Sequence, residues 1–270
     1  IGYPVLLRPS FVLGGRAMVI VYKEKYLRHF VEEAVAVSDG KPILIDRFLE
    51  DAIELDVDCL ADGKNSVIGA IMEHVELAGI HSGDSACSIP TRSLKPAVLA
   101  EVRRQTHDLA RELHICGLMN IQFAVQQDQV FILEVNPRAS RTVPFVSKAI
   151  AVPLAKKAAL CMVGKTLSEI GCRKERQIPY TCFKEAVFPF VKFPGVDIVL
   201  SPEMKSTGEV MGIDFNLGNA YLKSQQAAGN AIPTRGGVFV SLRDLDKEPA
   251  LPMIRALVDF GFTLYATRGT

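Results

Sequence analysis

Between residues 53 and 75 the chain alternates apolar and polar side chains around a turn, a pattern that paired strands satisfy and a helix does not. Ile53, Leu55, Val57 and Cys59 interleave with Glu54, Asp56 and Asp58, so the two sets leave opposite faces of one strand. Asp62-Gly63 supplies the turn, and residues 66–75 supply the antiparallel partner. On this reading Glu50, Asp51, Glu54, Asp56 and Asp58 are partly a solvated strand face. A second hairpin joins residues 120–126 to 130–136 around Gln127-Asp128. Shorter strands are expected at 4–8, 17–22 and 42–48. Helices are expected at 23–37, at 94–113 with Pro96 in its first turn, and at 144–163 with a break at Pro153. Residues 77–92 read as a polar loop around His81-Ser82-Gly83-Asp84-Ser85.

After Gly164 the texture changes. Pro179, Pro189, Pro194 and Pro202 fall within residues 165–205, which read as a packed connector. A strand at 207–213 and a helix at 216–228 follow. Residues 238–242, a helix from about 249 to 260, and residues 262–266 then form a β-α-β unit. The opening strand starts four residues from a terminus that lacks an initiator methionine, and the last unit stops after its second strand. Both ends therefore read as cuts in something longer.

Charge and cysteine usage exclude several classes. Lys+Arg number 31 against 30 Asp+Glu, a net charge of +1, which provides no field for nucleic acid or an anionic membrane. No apolar run reaches the ~20 residues of a membrane helix. The six cysteines are scattered without a CxxC pair, which reads as buried free thiols in a reducing, cytoplasmic setting.

The sharpest chemical feature is Glu134-Val135-Asn136-Pro137-Arg138. Glu134 and Asn136 are two apart on a strand and share a face. With Gln122 nearly opposite across the hairpin, they form a set of oxygen donors suited to magnesium on phosphates. Spacing alone also fits a solvated polar face. Gly14-Gly15 joins two strands between Arg8 and Arg16; its backbone N–H groups can close over an anion, and an ordinary hairpin turn fits as well.

Together, four stretches closely resemble the carbamoyl-phosphate synthase large-subunit family. They are Arg8-Pro9-Ser10-Phe11-Val12-Leu13-Gly14-Gly15-Arg16, Ile71-Met72-Glu73-His74-Val75-Glu76, Gly79-Ile80-His81-Ser82-Gly83-Asp84-Ser85, and Glu134-Val135-Asn136-Pro137-Arg138-Ala139-Ser140-Arg141-Thr142. Phe193-Pro194-Gly195-Val196-Asp197 and Pro202-Glu203-Met204-Lys205-Ser206-Thr207-Gly208-Glu209 fit the same family. The resemblance implies an α+β ATP-grasp fold, truncated at its N-terminus, over residues 1–163. It further implies a connector over 164–228 and the first β-α-β of a doubly wound α/β regulatory domain, of the MGS-like type, over 229–270.

The implied activity is phosphorylation of carbamate by ATP, giving carbamoyl phosphate for arginine and pyrimidine biosynthesis. Residue by residue, the resemblance assigns Arg8 to the phosphates or ribose of ATP and Gly14 and Gly15 to the flap over the phosphates. Arg47 and Leu49 match the adenine hinge, where Arg47 departs from a position that is often His. Glu54 matches a holder of the ribose or a nearby monovalent cation such as K⁺. Gly79, Ile80, His81 and Ser82 match a nucleotide-contacting loop. Gln122, Glu134 and Asn136 match the ligands of Mg²⁺ or Mn²⁺, and Arg141, with Arg8, supplies positive charge to the transferring phosphoryl. Lys247, Thr267 and Thr270 match the phosphate contacts of a nucleotide monophosphate effector. A small glutaminase subunit is the implied protein partner. Two other readings stand beside this one: a non-catalytic nucleotide-binding fragment, and another ATP-grasp ligase such as a biotin-dependent carboxylase component. The 202–212 segment lies outside the nucleotide site and argues against the latter.

Overall fold

The structure is a computed structural model that describes residues 1–10 and 14–270. Phe11, Val12 and Leu13 of the glycine-loop motif lie outside the described residues. The chain divides into two compact units, Ile1–Ala228 and Gly229–Thr270.

The first unit contains two antiparallel sheets. In the smaller one, β1 (Val5–Pro9) lies between β2 (Val19–Val21) and β3 (Ile43–Arg47). Helix α1 (Glu24–Val37) seals one face by packing Leu27, Phe30 and Val31 on Val5, Leu7 and Val21, the apolar stripe that its spacing predicts.

The larger sheet has seven strands: β4 (Ile53–Asp62), β5 (Ser66–Leu77), β6 (Cys87–Ile89), β7 (Cys116–Gln126), β8 (Gln129–Asn136), β9 (Thr181–Val187) and β10 (Gly208–Asp214). Their order is β10-β9-β6-β5-β4-β7-β8. Helix α2 (Pro96–Glu112) covers one face, where Val98 and Val102 meet Leu55, Val57, Ile121 and Phe123. On the other face α3 (Val143–Ala149) and α4 (Leu154–Met162) bury Leu60, Ala70, Met72 and Leu118. The helical break falls at residues 150–153, ahead of α4 and ending at Pro153. The remainder of that second face is polar and buried, and it carries Asp56, Asp58, His74, Asn120 and Lys184.

Two segments differ from the sequence reading. The polar loop at 77–92 contains β6, which is three residues long and too short to display a period. The connector contains β9, which lies between β6 and β10. Its Lys184 and Glu185 are adjacent and both buried, which breaks the alternation by which a strand is recognised. Residues 164–228 thus add two strands to the main sheet, and α5 (Leu217–Ala227) packs on β10. Gly212 permits that approach, since a Cβ there would lie 2.0 Å from the Ala220 carbonyl oxygen.

The solvated strand face is also corrected. Asp56 and Asp58 are 3% and 1% exposed, because β4 is a central strand with partners on both edges. Glu50 and Asp51 alone of that group are exposed. Of the six cysteines, Cys116 is exposed and the other five are buried.

In the second unit, β11 (Gly237–Val240) and β12 (Thr263–Ala266) pair in parallel through α6 (Asp244–Asp259). The helix starts five residues earlier than expected and accommodates Pro249 and Pro252. Among the described residues no helix is long and apolar enough to cross a membrane.

Candidate functional site

Strand register assembles the site. Across β4, β7 and β8, Asp56 pairs with Gln122 and Gln122 with Glu134; one step on, Asp58 pairs with Asn120 and Asn120 with Asn136. Glu134 and Asn136 are therefore on the same face, with Gln122 directly beside Glu134. The Gln122 Nε2 donates to Ser82 Oγ at 3.0 Å, which leaves the amide oxygen on the other branch. Asn136 Oδ1 accepts from Arg138 at 3.2 Å. Among the described residues no three His, Cys, Asp or Glu side chains gather as a metal site. One carboxylate and two amides instead share this face, and their oxygens are hard donors of the kind that suit Mg²⁺.

Residues 79–86 pass over this face and are fastened at several points. Gly79 N–H donates to Glu54 Oε1 at 3.3 Å, and the His81 Nδ1 accepts from Gly83 N–H at 3.0 Å. Burial holds His81 below the ordinary imidazole range. The fully buried Lys184 donates from Nζ to the Ser82 carbonyl at 3.1 Å. Asp84 receives the backbone N–H groups of Lys205 and Ser206, both at 2.8 Å.

The same downstream strap, residues 201–206, also grips the glycine loop. Met204 N–H donates to the Gly14 carbonyl at 2.9 Å, and His81 N–H to the Ser201 carbonyl at 2.9 Å. Gly15 adopts φ +68, and a Cβ there would lie 2.0 Å from the Pro202 carbonyl oxygen. Only glycine meets both demands. Arg141 rests a guanidinium nitrogen on the Met204 sulfur.

Beneath the site lies a buried polar network. His74 Nε2 meets Asp56 Oδ2 at 2.9 Å, and Asn120 donates to Asp56 at 3.2 Å and to Asp58 at 3.0 Å. Burial pushes Asp56 upward, but the His74 hydrogen bond and charge, with Lys184 and Asn120, outweigh it and leave the carboxyl below its usual range. Burial pushes Asp58 up to about 6 despite hydrogen bonds from Thr142, Asn120 and Ser140. Burial also raises Glu54, whose carboxylate lies 3.6 Å from His74 Nδ1. That separation exceeds a hydrogen bond, and His74 Nδ1 and Ser85 Oγ are buried without a partner.

The raised Asp58 has a measurable consequence. Between the unfolded carboxyl value near 3.9 and about 6, the folded state holds the extra proton, so this group's contribution to stability declines as pH rises through that window. At pH 8 the loss is roughly 3 kcal/mol, the product of the shift and ~1.36 kcal/mol per unit. Asp58→Asn does not titrate, so its melting temperature relative to wild type is expected to be several degrees more favourable at pH 8 than at pH 5. Equal offsets at the two pH values would refute this.

Of the residues assigned from sequence, Glu54 is joined to Gly79, Ser82 to Gln122, Gln122 in register to Glu134, and Gly14 and Arg141 to Met204. Ile80 is half-buried between Gly79 and His81. Arg8 is paired with Asp46 of β3 at 3.1 Å; Arg47 is exposed at the end of β3, and Leu49 is half-buried in the link to β4. In the second unit, Lys247 Nζ meets the Gly269 carbonyl and the Thr267 and Thr270 hydroxyls are 2.6 Å apart. Sequence reasoning missed Asp58, His74, Asp84 and Lys184. For Asp58 and His74 the one signal was charge within a strand pattern, which also marks a solvated face; Asp84 lies in a stretch that reads as a polar loop and Lys184 in one that reads as a connector.

Residues 1–170 match the family described as carbamoyl-phosphate synthase L chain, ATP binding domain. Over 100% of its length the chain is similar to the carbamoyl phosphate synthase large chain of Ralstonia nicotianae, at 57% identity over 274 residues and 25% of that protein. It is similarly related to those of Synechocystis sp., at 58% over 271 residues and 25% of the protein, and Methanocorpusculum labreanum, at 54% over 270 residues and 26%. In both cases the match again covers 100% of this chain. The chain thus spans about a quarter of the length of these curated relatives. Among solved structures, the biotin carboxylase–βγ-ATP complex of Campylobacter jejuni superposes with TM-score 0.59 at 15% identity, over 69% of this chain and 42% of that one. The biotin carboxylase domain of Hydrogenobacter thermophilus 2-oxoglutarate carboxylase, solved with MgADP and bicarbonate, gives 0.56 at 20% identity over the same shares. At such identities the likeness establishes the ATP-grasp fold and nothing finer.

Proposed function

Because the chain belongs to the carbamoyl-phosphate synthase large-chain family, we propose that its first unit binds ATP and phosphorylates carbamate to carbamoyl phosphate. The observation that carries this reading is the register of Gln122 against Glu134, with Asn136 on the same face and Ser82 fastened to Gln122. A Mg²⁺ or Mn²⁺ ion held by Gln122, Glu134 and Asn136 would neutralise and align the phosphate oxygens.

The chain's own residues carry the rest. Arg47 and Leu49 face adenine; Glu54 serves the ribose or a monovalent cation such as K⁺, a role supported by its hydrogen bond to the Gly79 N–H at the start of the nucleotide loop. Gly79, Ile80, His81 and Ser82 line the nucleotide. Arg8 holds phosphate, and the Gly14 and Gly15 backbone closes above it. A carbamate oxygen, already anionic, attacks the γ-phosphorus as the bond to the ADP oxygen breaks, so no general base is required. Arg141 leaves Met204 and neutralises the charge on the transferring group. The flap and the 201–206 strap exclude water, which carbamate needs because it decomposes in water.

The remaining assignments extend the same proposal. The 270 residues act within a longer cytoplasmic large chain that receives glutamine-derived ammonia from a small glutaminase subunit and serves arginine and pyrimidine biosynthesis. Residues 229–270 begin an MGS-like regulatory domain, where Lys247, Thr267 and Thr270 take the phosphate of a nucleotide monophosphate. Support comes from the paired Thr267 and Thr270 hydroxyls and from Lys247, which meets the Gly269 carbonyl, all beyond the carboxyl end of β12, where open α/β sheets place ligands.

By microscopic reversibility, the full-length large chain is expected to form ATP from MgADP and carbamoyl phosphate. Failure of wild type to do so sinks the proposal. Uridine or inosine monophosphate added to the same assay tests the regulatory assignment, since an unchanged rate at saturation opposes it.

A further inference from the structure

We propose that Asp58 is a positioning residue for Arg141, holding that arginine in place through the two hydroxyl side chains beside it. The inference rests on the phosphoryl-transfer reading above and extends it to a residue that cannot itself reach substrate. Asp58 lies on β4, between β5 and β7, and is 1% exposed. Its Oδ1 accepts from Ser140 Oγ at 2.7 Å and its Oδ2 from Thr142 Oγ1 at 2.7 Å. Arg141 is the residue between them. A carboxylate on a strand paired along both edges therefore grips the loop on both flanks of an exposed arginine.

Two observations separate this from ordinary satisfaction of a buried group. Thr142 occupies the N-cap position of α3, yet its hydroxyl makes no cap hydrogen bond. A threonine there ordinarily serves the helix; here it serves Asp58 instead. The Ser140 and Thr142 hydroxyls also lie 2.7 Å from each other, so one could partner the other without a carboxylate. What Asp58 adds is a fixed point common to both. The third contact, from Asn120 Nδ2 at 3.0 Å, ties the same carboxylate to β7, one register step from Gln122. Asp58 thereby sets the Arg141 loop relative to the strand that carries a metal ligand.

The test uses the full-length large chain and the formation of ATP from MgADP and carbamoyl phosphate. Displacing a charged group by about an ångström reduces turnover far more than it changes binding. Asp58→Asn is therefore expected to lower kcat by roughly 10- to 100-fold with KM for ADP within about threefold of wild type. Thr142→Val, which keeps shape and loses the hydroxyl, is expected to lower kcat in the same direction, and Thr142→Ser to restore most of it. If Asp58→Asn does not fold, the Thr142 pair decides. Turnover within about twofold of wild type in Asp58→Asn and Thr142→Val, or Thr142→Ser as impaired as Thr142→Val, overturns the assignment while leaving the phosphoryl-transfer reading intact. An inactive wild-type chain removes both.

Discussion

Glu134→Gln should slow phosphoryl transfer by roughly a thousandfold while leaving the fold untouched. Glu134 is the one carboxylate among the three proposed metal ligands, and it is exposed on β8, an edge strand of the main sheet. Exchanging it for an amide removes the negative charge that offsets a divalent cation and preserves shape and strand register. A loss on the order of 10³-fold in ATP formation from MgADP and carbamoyl phosphate is expected, in line with removing a group that stabilises transition-state charge. Thermal stability should move by no more than about 0.5 kcal/mol, as for an exposed substitution away from core features. The paired measurements are turnover and melting temperature. Turnover within tenfold of wild type would place the metal elsewhere.

The second large effect is structural and reaches the site from outside it. Asp84 is 1% exposed, and its two oxygens take the N–H groups of Lys205 and Ser206. In Asp84→Asn one of those N–H groups faces an NH₂, donor against donor, in a place water does not reach. A penalty of about 2–4 kcal/mol is expected from the lost charged hydrogen bond and the stranded donor. For a unit of this size the melting temperature should fall by roughly 5–15 °C. Hydrogen exchange gives the sharper check: the amides of Lys205 and Ser206 should lose protection before those of α2 or β7. Unchanged protection at 205 and 206 would show that Asp84 is not the clasp.

Much of the scaffold was legible because its strands announce themselves. The β4 pattern has a period of two over residues 53–59, and the i,i+2 spacing of Glu134 and Asn136 could be carried across a hairpin to Gln122. What stayed hidden has a common cause. Asp56, Asp58 and Lys184 on the strands and Asp84 on the loop above them are buried charges, and burial of a charge is decided by partners that are remote in sequence. Asp58 meets Ser140 and Thr142 more than eighty residues away, and Asp84 meets the strap more than a hundred and twenty away. Local pattern cannot distinguish such a group from one facing water. Strand β6 was hidden for the complementary reason, since three residues hold no period and its partner β9 lies far downstream.

That last pairing has a bearing on how the protein is made. Strands β4, β5, β7 and β8 can associate once residue 136 has left the ribosome. The free edge of β6 must wait for β9, and the glycine loop must wait for the strap at 201–206. At translation rates of ~5–20 residues per second, the wait between β6 and β9 lasts on the order of 5–20 s. During that interval the nascent chain carries an open β edge beside a polar face that lacks its lysine, a surface prone to pair with its neighbours on a polysome. A holding chaperone would be needed most between those two moments of synthesis, and the finished protein gives no sign of that need.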